Sequence, residues 1–313
     1  MAETGPSSHT PRTRGSSVRG LVSACHPGPT VAVTTLSLVL SIAIGLAPLR
    51  VVEVGAAILA GQLAIGWSND WLDARRDIDV GRTDKPVATG AVLASTVRTA
   101  FIVAVVAVIP LSLLLGLPAA AASLLLTASG LGYNLWLKKT ALSWLPYVVS
   151  FGLLPLVVTL ASTPPAVAAW WVVASGSLLG LAAHFANVLP DLDDDRATGV
   201  RGLPHRLGRI GSGFAAFGSL LLASAAVTFG ATLTRGATLE PGEAARYSDA
   251  PLAVAAGPTV FGLAGFAIGV VIAGVGVWLV LTRPPGRQLF RLIIASALID
   301  VVLLALSGSR LIA

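Results

Sequence analysis

Long apolar runs recur along this chain, separated by short polar stretches. Runs of about 17–25 apolar residues are the length an α-helix needs to cross the hydrocarbon of a bilayer. They predict nine helices, at about 31–49, 52–72, 96–116, 118–137, 143–162, 166–190, 210–233, 258–281 and 289–308. Leu117-Pro118 and Thr163-Pro164-Pro165 supply tight breaks between neighbours. Ahead of the first run, Met1–Arg19 is rich in Ser, Thr, Pro, Gly and Arg and has no such pattern, so it is expected to be disordered. Val31–Leu49 is long for the apolar core of a signal peptide, and no small-residue cleavage site stands out. It therefore reads as a retained helix. The expected organisation is a disordered basic tail over 1–29 and a single nine-helix transmembrane domain over 30–313.

Composition supports a membrane protein. Of 313 residues, 55% are hydrophobic and only 12% charged, and the mean hydropathy is +0.82. One cysteine, Cys25, excludes a disulfide framework and a cysteine-based metal site. The net charge of +6 comes from residues spread between apolar runs, with no basic domain or aromatic-interleaved patch, which excludes nucleic acid as partner. With nine helices, the tail and the loops after helices two, four, six and eight share one side, and 17 of the 21 Lys and Arg residues lie there. Only Arg50, Arg235, Arg246 and Arg310 lie opposite. This bias makes the first side, with the N-terminus, cytoplasmic in a multi-pass cell-membrane protein.

Polar positions cluster in two places, both on that side. Asn69-Asp70-Trp71-Leu72-Asp73-Ala74-Arg75-Arg76-Asp77-Ile78-Asp79 follows the second run directly. In a helix, Asn69, Asp73 and Asp77 are four apart and Asp70 is three before Asp73, so they share a face. Carboxylates converging on one face repel each other unless a cation sits among them. Oxygen ligands of this kind suit Mg²⁺, which binds a few carboxylates and bridges to phosphates. A second cluster after the sixth run, Asn187 to Arg196, repeats the spacing at Asn187, Asp191 and Asp195. Arg82, Lys85, Lys138, Lys139, Arg196, Arg201 and Arg206 surround the two clusters in sequence. Two carboxylate faces with Mg²⁺ and nearby cations form a site for a diphosphate, and an apolar bundle beneath implies a lipid attached to it. Stabilising the departing diphosphate permits ionisation of an allylic carbon–oxygen bond. The carbocation then needs a dry pocket and a nucleophilic acceptor.

These motifs resemble those of the UbiA-type intramembrane prenyltransferases, NDxxDxxxD and DxxxD. The first is carried by Asn69, Asp70, Asp73 and Asp77, the second by Asp191 and Asp195. Arg82-Thr83-Asp84-Lys85-Pro86-Val87-Ala88-Thr89-Gly90 resembles the family's RxxRPxxxG, with Lys85 for the usual arginine. Tyr133, Lys138 and Lys139 resemble its YxxxxK-type loop, and Asp195–Gly208 its DRxxGxxTLxxRLG, with Gly202 for threonine. The resemblance covers about residues 20–313. It implies an all-α bundle around a central cavity opening to the cytoplasm, which binds Mg²⁺ and a polyprenyl diphosphate and passes the prenyl group to a small aromatic or quinone-precursor acceptor. By position, Asn69, Asp70, Asp73, Asp77, Asp191 and Asp195 would be the metal set. Arg82, Lys85, Tyr133, Lys138 and Arg201 would contact substrate.

One departure concerns the acceptor. Para-hydroxybenzoate-type members carry an aspartate seven residues before the second motif, where this chain has His184. Two helical turns put His184 on the face of Asp191. A neutral imidazole there could act as a base beside the catalytic Asp191, and a buried histidine bonded to a neighbouring helix is the alternative. Two other functions compete. Phosphoribosyl transfer to a polyprenyl phosphate would call for a histidine-rich basic pattern, which Gly81–Pro86 lacks. A secondary transporter would place its acids near the membrane midplane rather than at one face. Asp300, in the middle of the last run, is expected to make a structural hydrogen bond across helices.

Overall fold

The computed structural model of the chain describes residues 14–192, 199, 201–238, 260–282 and 287–313. Ten α-helices occur among them: α1 (Arg14–Ala24), α2 (Pro27–Ala43), α3 (Pro48–Asp79), α4 (Ala94–Leu113), α5 (Leu117–Leu135), α6 (Leu145–Leu160), α7 (Trp170–Val188), α8 (Leu203–Thr238), α9 (Val260–Thr282) and α10 (Arg287–Leu306). Short 3-10 turns follow α5 (Leu137–Lys139), α7 (Leu189–Asp191) and α10 (Gly308–Leu311).

Proline sets several of the starts. Pro27, Pro48, Pro118 and Pro146 lie in the first turn of α2, α3, α5 and α6. That is where a missing N–H costs nothing and a fixed φ favours the helix. Pro48 therefore opens α3, and α2 stops at Ala43 instead of running to Leu49 as the apolar pattern expected. Gly45 and Gly116, at φ of 78° and 89°, turn the chain between α2 and α3 and between α4 and α5.

Helices α2 to α10 stand where the nine apolar runs predicted helices; α1 is additional. Where the disordered tail expected over 1–29 falls among the described residues, the chain is helical instead: α1 covers Arg14–Ala24 and α2 begins at Pro27, while 1–13 lie outside the described residues. Composition hid it because α1 is held by tertiary contacts. Ala24 is buried in a cluster with Ala74, Val87, Val92 and Val97, against which Leu21, Trp67 and Trp71 pack, and Trp67 Nε1 donates to the Leu21 carbonyl at 3.0 Å.

Two helices organise the bundle. Helix α3 packs on α2, α4 and α5, and α7 packs on α6 and α8. The α5–α6 contact joins the two groups, and α10 returns against α7 and α2. Trp171, Phe185, Phe217, Leu126, Leu154 and Leu220 are among the enclosed side chains of the core. Outward faces are apolar too: Ile102, Val103, Val106 and Ile109 on α4, and Phe261, Val271 and Trp278 on α9, are exposed. Such faces suit lipid rather than water. Five helices (α3, α4, α7, α8 over Leu203–Gly230, and α9) are long and apolar enough to cross a membrane. A sixth span results if Val18–Ala24 and α2, bent by 65°, are taken together. An apolar crevice is lined by Leu36, Leu40, Phe151, Leu154, Val172 and Leu179.

Candidate functional site

The first acidic motif is helical throughout, because α3 continues to Asp79 rather than stopping near residue 72. One face therefore carries Asn69, Asp70, Asp73 and Asp77, and the three aspartates are buried, while Arg75 and Asp79 point outward. Three adjacent buried carboxylates cannot stay ionised without counter-charge. Each has a cation.

Asp70 receives Lys85. The loop beyond α3 turns back at Gly81 (φ 69°), fixed by Arg82 N–H donating to the Asp77 carbonyl at 2.9 Å. Lys85 Nζ then donates to Asp70 Oδ1 at 2.8 Å and to Asn69 Oδ1 at 3.2 Å. Asp73 receives Lys138 from the turn after α5, with Nζ 2.5 and 2.7 Å from its two oxygens. Burial pushes the Lys138 ammonium below its ordinary pKa, and the Asp73 charge opposes that shift. Arg76 reaches Asp73 Oδ2 at 3.3 Å and Asp77 Oδ1 at 3.2 Å. Asn134 of α5 completes the framework. It donates to the Ile65 carbonyl at 2.8 Å and Ser68 Oγ at 2.7 Å, and accepts from Asn69 Nδ2 at 3.2 Å.

One acceptor remains: Asp70 Oδ2 is buried and has no hydrogen-bond partner. Among the described residues, no three His, Cys, Asp or Glu side chains gather closely enough to hold a metal ion. The carboxylates are engaged by lysine and arginine instead.

The other predicted residues divide. Arg82 forks onto Asp84, with both bonds at 2.8 Å, and this guanidinium holds the Asp84 carboxyl down to about 2. Arg201 is exposed and makes no ion pair with a carboxylate among the described residues. Tyr133 lies edge-on to Tyr147, with centroids 5.2 Å apart, and to His184, at 6.1 Å. Asp191 ends the 3-10 turn that follows α7; its side chain, and all of Asp195, lie outside the described residues. Asn187 Nδ2 donates to the Tyr147 hydroxyl at 3.1 Å.

His184 is fully enclosed. Its Nε2 lies 3.1 Å from Ser143 Oγ, Nδ1 has no hydrogen-bond partner, and the Tyr147 ring is 5.0 Å away. Ser143 Oγ also accepts the Leu203 N–H at 2.9 Å. This hydroxyl accounts for the glycine at 202. A Cβ there would stand 2.8 Å from Ser143 Oγ and 3.0 Å from the Lys138 carbonyl.

Sequence reasoning missed His26, Asn134, Ser143 and the counter-charge role of Arg76. His26 Nε2 lies 3.0 Å from Asp70 Oδ1, yet 44 residues separate the two and no spacing rule connects them. Trp67 and Trp71, which flank the motif, make structural contacts: Trp67 anchors α1, and Trp71 stacks on Phe101 at 5.6 Å and lies under the Arg98 guanidinium. Asp300 makes the expected bond across helices, accepting from Ser224 Oγ at 2.5 Å.

Among curated proteins, no sequence matches the chain. Several solved structures share its fold. A UbiA homolog from Aeropyrum pernix K1 is 18% identical over 93% of this chain and 98% of its own, with a TM-score of 0.62. A UbiA homolog from Archaeoglobus fulgidus bound to GPP and Mg²⁺ is 9% identical over 93% of this chain and 99% of its own, with a TM-score of 0.63. Digeranylgeranylglyceryl phosphate synthase is 12% identical, covering 94% and 98%, with a TM-score of 0.62. At such identities the likeness is one of fold. Sequence carries the assignment further: residues 30–289 match the UbiA prenyltransferase family, and the chain belongs to it.

Proposed function

We propose that the protein transfers a prenyl or polyprenyl group, Mg²⁺-dependently and within the membrane, from its diphosphate to a small aromatic or quinone-precursor acceptor. One observation carries this reading. Three buried carboxylates of a family motif are held at the end of α3 by lysine and arginine, whose heads pair with phosphate as they do with carboxylate.

The donor set fits a hard divalent ion. Its ligating atoms are carboxylate and amide oxygens, and Asp70 Oδ2 is a buried acceptor still without a partner. Asn69, Asp70, Asp73 and Asp77 would hold Mg²⁺ from this side, and Asp191 and Asp195 from the other. Bound there, the ion supplies charge to neutralise a leaving diphosphate. The protein's own cations share that task. Lys85 and Lys138, released from Asp70 and Asp73, reach phosphate oxygens as the allylic C–O bond breaks and its electron pair leaves on oxygen. Arg82 and Arg201 extend the positive rim. The acceptor attacks the electron-poor carbon and loses one proton.

His184 serves this site best as framework, since its ring is enclosed and Nε2 is committed to Ser143. In this reading α2 to α10 all cross the bilayer around a cavity that opens, with both motifs, to the cytoplasm. The homologue bound to GPP and Mg²⁺ supports the donor class. The test incubates membranes containing the protein with Mg²⁺, labelled geranylgeranyl or longer diphosphate, and a panel of aromatic acceptors. An acceptor-dependent labelled lipid is expected; diphosphate release with no such lipid would count against transfer.

A further inference from the structure

His26 stands at the break between α1 and α2 with φ 55° and ψ 67°, the left-handed region. It is the one non-glycine residue with positive φ among the described residues. A side chain bearing a Cβ is disfavoured there, and such strain persists only where surrounding contacts over-determine it.

Those contacts are present. Thr30 Oγ1 donates to the Cys25 carbonyl at 2.8 Å, and Trp67 Nε1 to the Leu21 carbonyl at 3.0 Å. The Cys25 carbonyl rests directly on Gly66 of α3, where any Cβ would collide with it. The break is thereby pinned to α3 one turn before Asp70, and the His26 ring enters the acidic cluster. Its Nε2 lies 3.0 Å from Asp70 Oδ1 and 3.3 Å from Lys85 Nζ. Lys85 also bonds Oδ1, at 2.8 Å, so both groups hold the same oxygen and Oδ2 is left without a partner.

We infer that His26 is a positioning residue of the donor site: it holds Asp70 by Oδ1, beside Lys85 and still when Lys85 turns to the phosphates, so that Oδ2 alone is presented to the Mg²⁺-diphosphate. The inference rests on the prenyl-diphosphate reading. It makes the α1–α2 break a wall of the site, and explains why a strained histidine stands where glycine would sit more easily.

His26→Gly separates this role from a structural one, because it removes the ring and relieves the backbone together. The melting temperature in detergent should equal or exceed that of the wild type. The Kd for an unreactive prenyl thiolodiphosphate in Mg²⁺ should rise about tenfold, as expected for losing one hydrogen bond to a charged group. KM for the donor should rise with it, and KM for the acceptor should not. His26→Asn tolerates the left-handed backbone but is too short to bridge, and should show the same loss. If both variants bind as tightly as wild type, or if affinity falls only in step with melting temperature, His26 is merely a helix cap. If the wild type itself binds no thiolodiphosphate, the donor reading falls and this inference with it.

Discussion

Lys138→Met tests whether the acidic face depends on its lysines. The pair it breaks is buried: the Lys138 and Asp73 side chains are 8% and 10% exposed, and Nζ meets both carboxylate oxygens. Removing one partner of a buried pair costs roughly 3–5 kcal/mol, because the other charge is stranded. Arg76 remains 3.3 Å from Asp73 Oδ2 and recovers part of this. Methionine also keeps the apolar stem in place. A loss of about 2–3 kcal/mol is therefore expected. At about 2 °C per kcal/mol for a chain of this length, the melting temperature should drop by about 4–6 °C. Thermal unfolding of the detergent-solubilised protein, with EDTA and then with Mg²⁺, is the assay. Adding Asp73→Asn to Lys138→Met removes the stranded charge and should recover most of the loss; Mg²⁺ should stabilise the single variant more than the double. A single variant melting within about 1 °C of wild type, or a double variant no more stable than the single, would refute the ion-pair argument.

Two further predictions follow from the same physics. Ser143→Ala leaves the Leu203 N–H and His184 Nε2 without their partner. It should cost about 1–3 kcal/mol in thermal unfolding, whereas Ser143→Thr, which keeps the hydroxyl, should stay near wild type. Asp84 provides a pH prediction. Its pKa falls from the ordinary 3.8 to about 2 on folding, so its contribution is fully present above 3.8 and is lost as pH falls towards 2. Because Asp84 is 61% exposed, solvent screening keeps that contribution below about 1 kcal/mol. Asp84→Asn should lower stability at pH 7 by that small amount, match the wild type near pH 2, and so flatten the profile between pH 4 and pH 2.

The parts of this protein governed by local pattern could be read from sequence. Apolar runs locate α2 to α10, and i, i+3, i+4 spacing puts Asn69, Asp70, Asp73 and Asp77 on one face. The ends were harder. Apolar character continues through Ile44–Leu49, and only Pro48 shows that a new helix begins there. Contacts made by folding left no such trace. Helix α1 is Ser- and Arg-rich and unremarkable alone; Trp67 and the small cluster around Val92 and Val97 hold it. His26, Asn134 and Ser143 reach the site from 44, 65 and 41 residues away in their key bonds, distances at which periodicity carries no information. Gly202 looked like a departure from the family pattern, and its explanation lies in Ser143, on another loop.

The central claim is that the carboxylates of α3 bind the Mg²⁺-diphosphate end of a prenyl donor. It is tested most directly by measuring acceptor-dependent transfer of labelled geranylgeranyl diphosphate by wild type and Asp73→Asn side by side, each first checked by thermal unfolding. Asp73→Asn, folded and membrane-inserted, is predicted to give no Mg²⁺-dependent product. Wild-type turnover from that variant would contradict the assignment of the site.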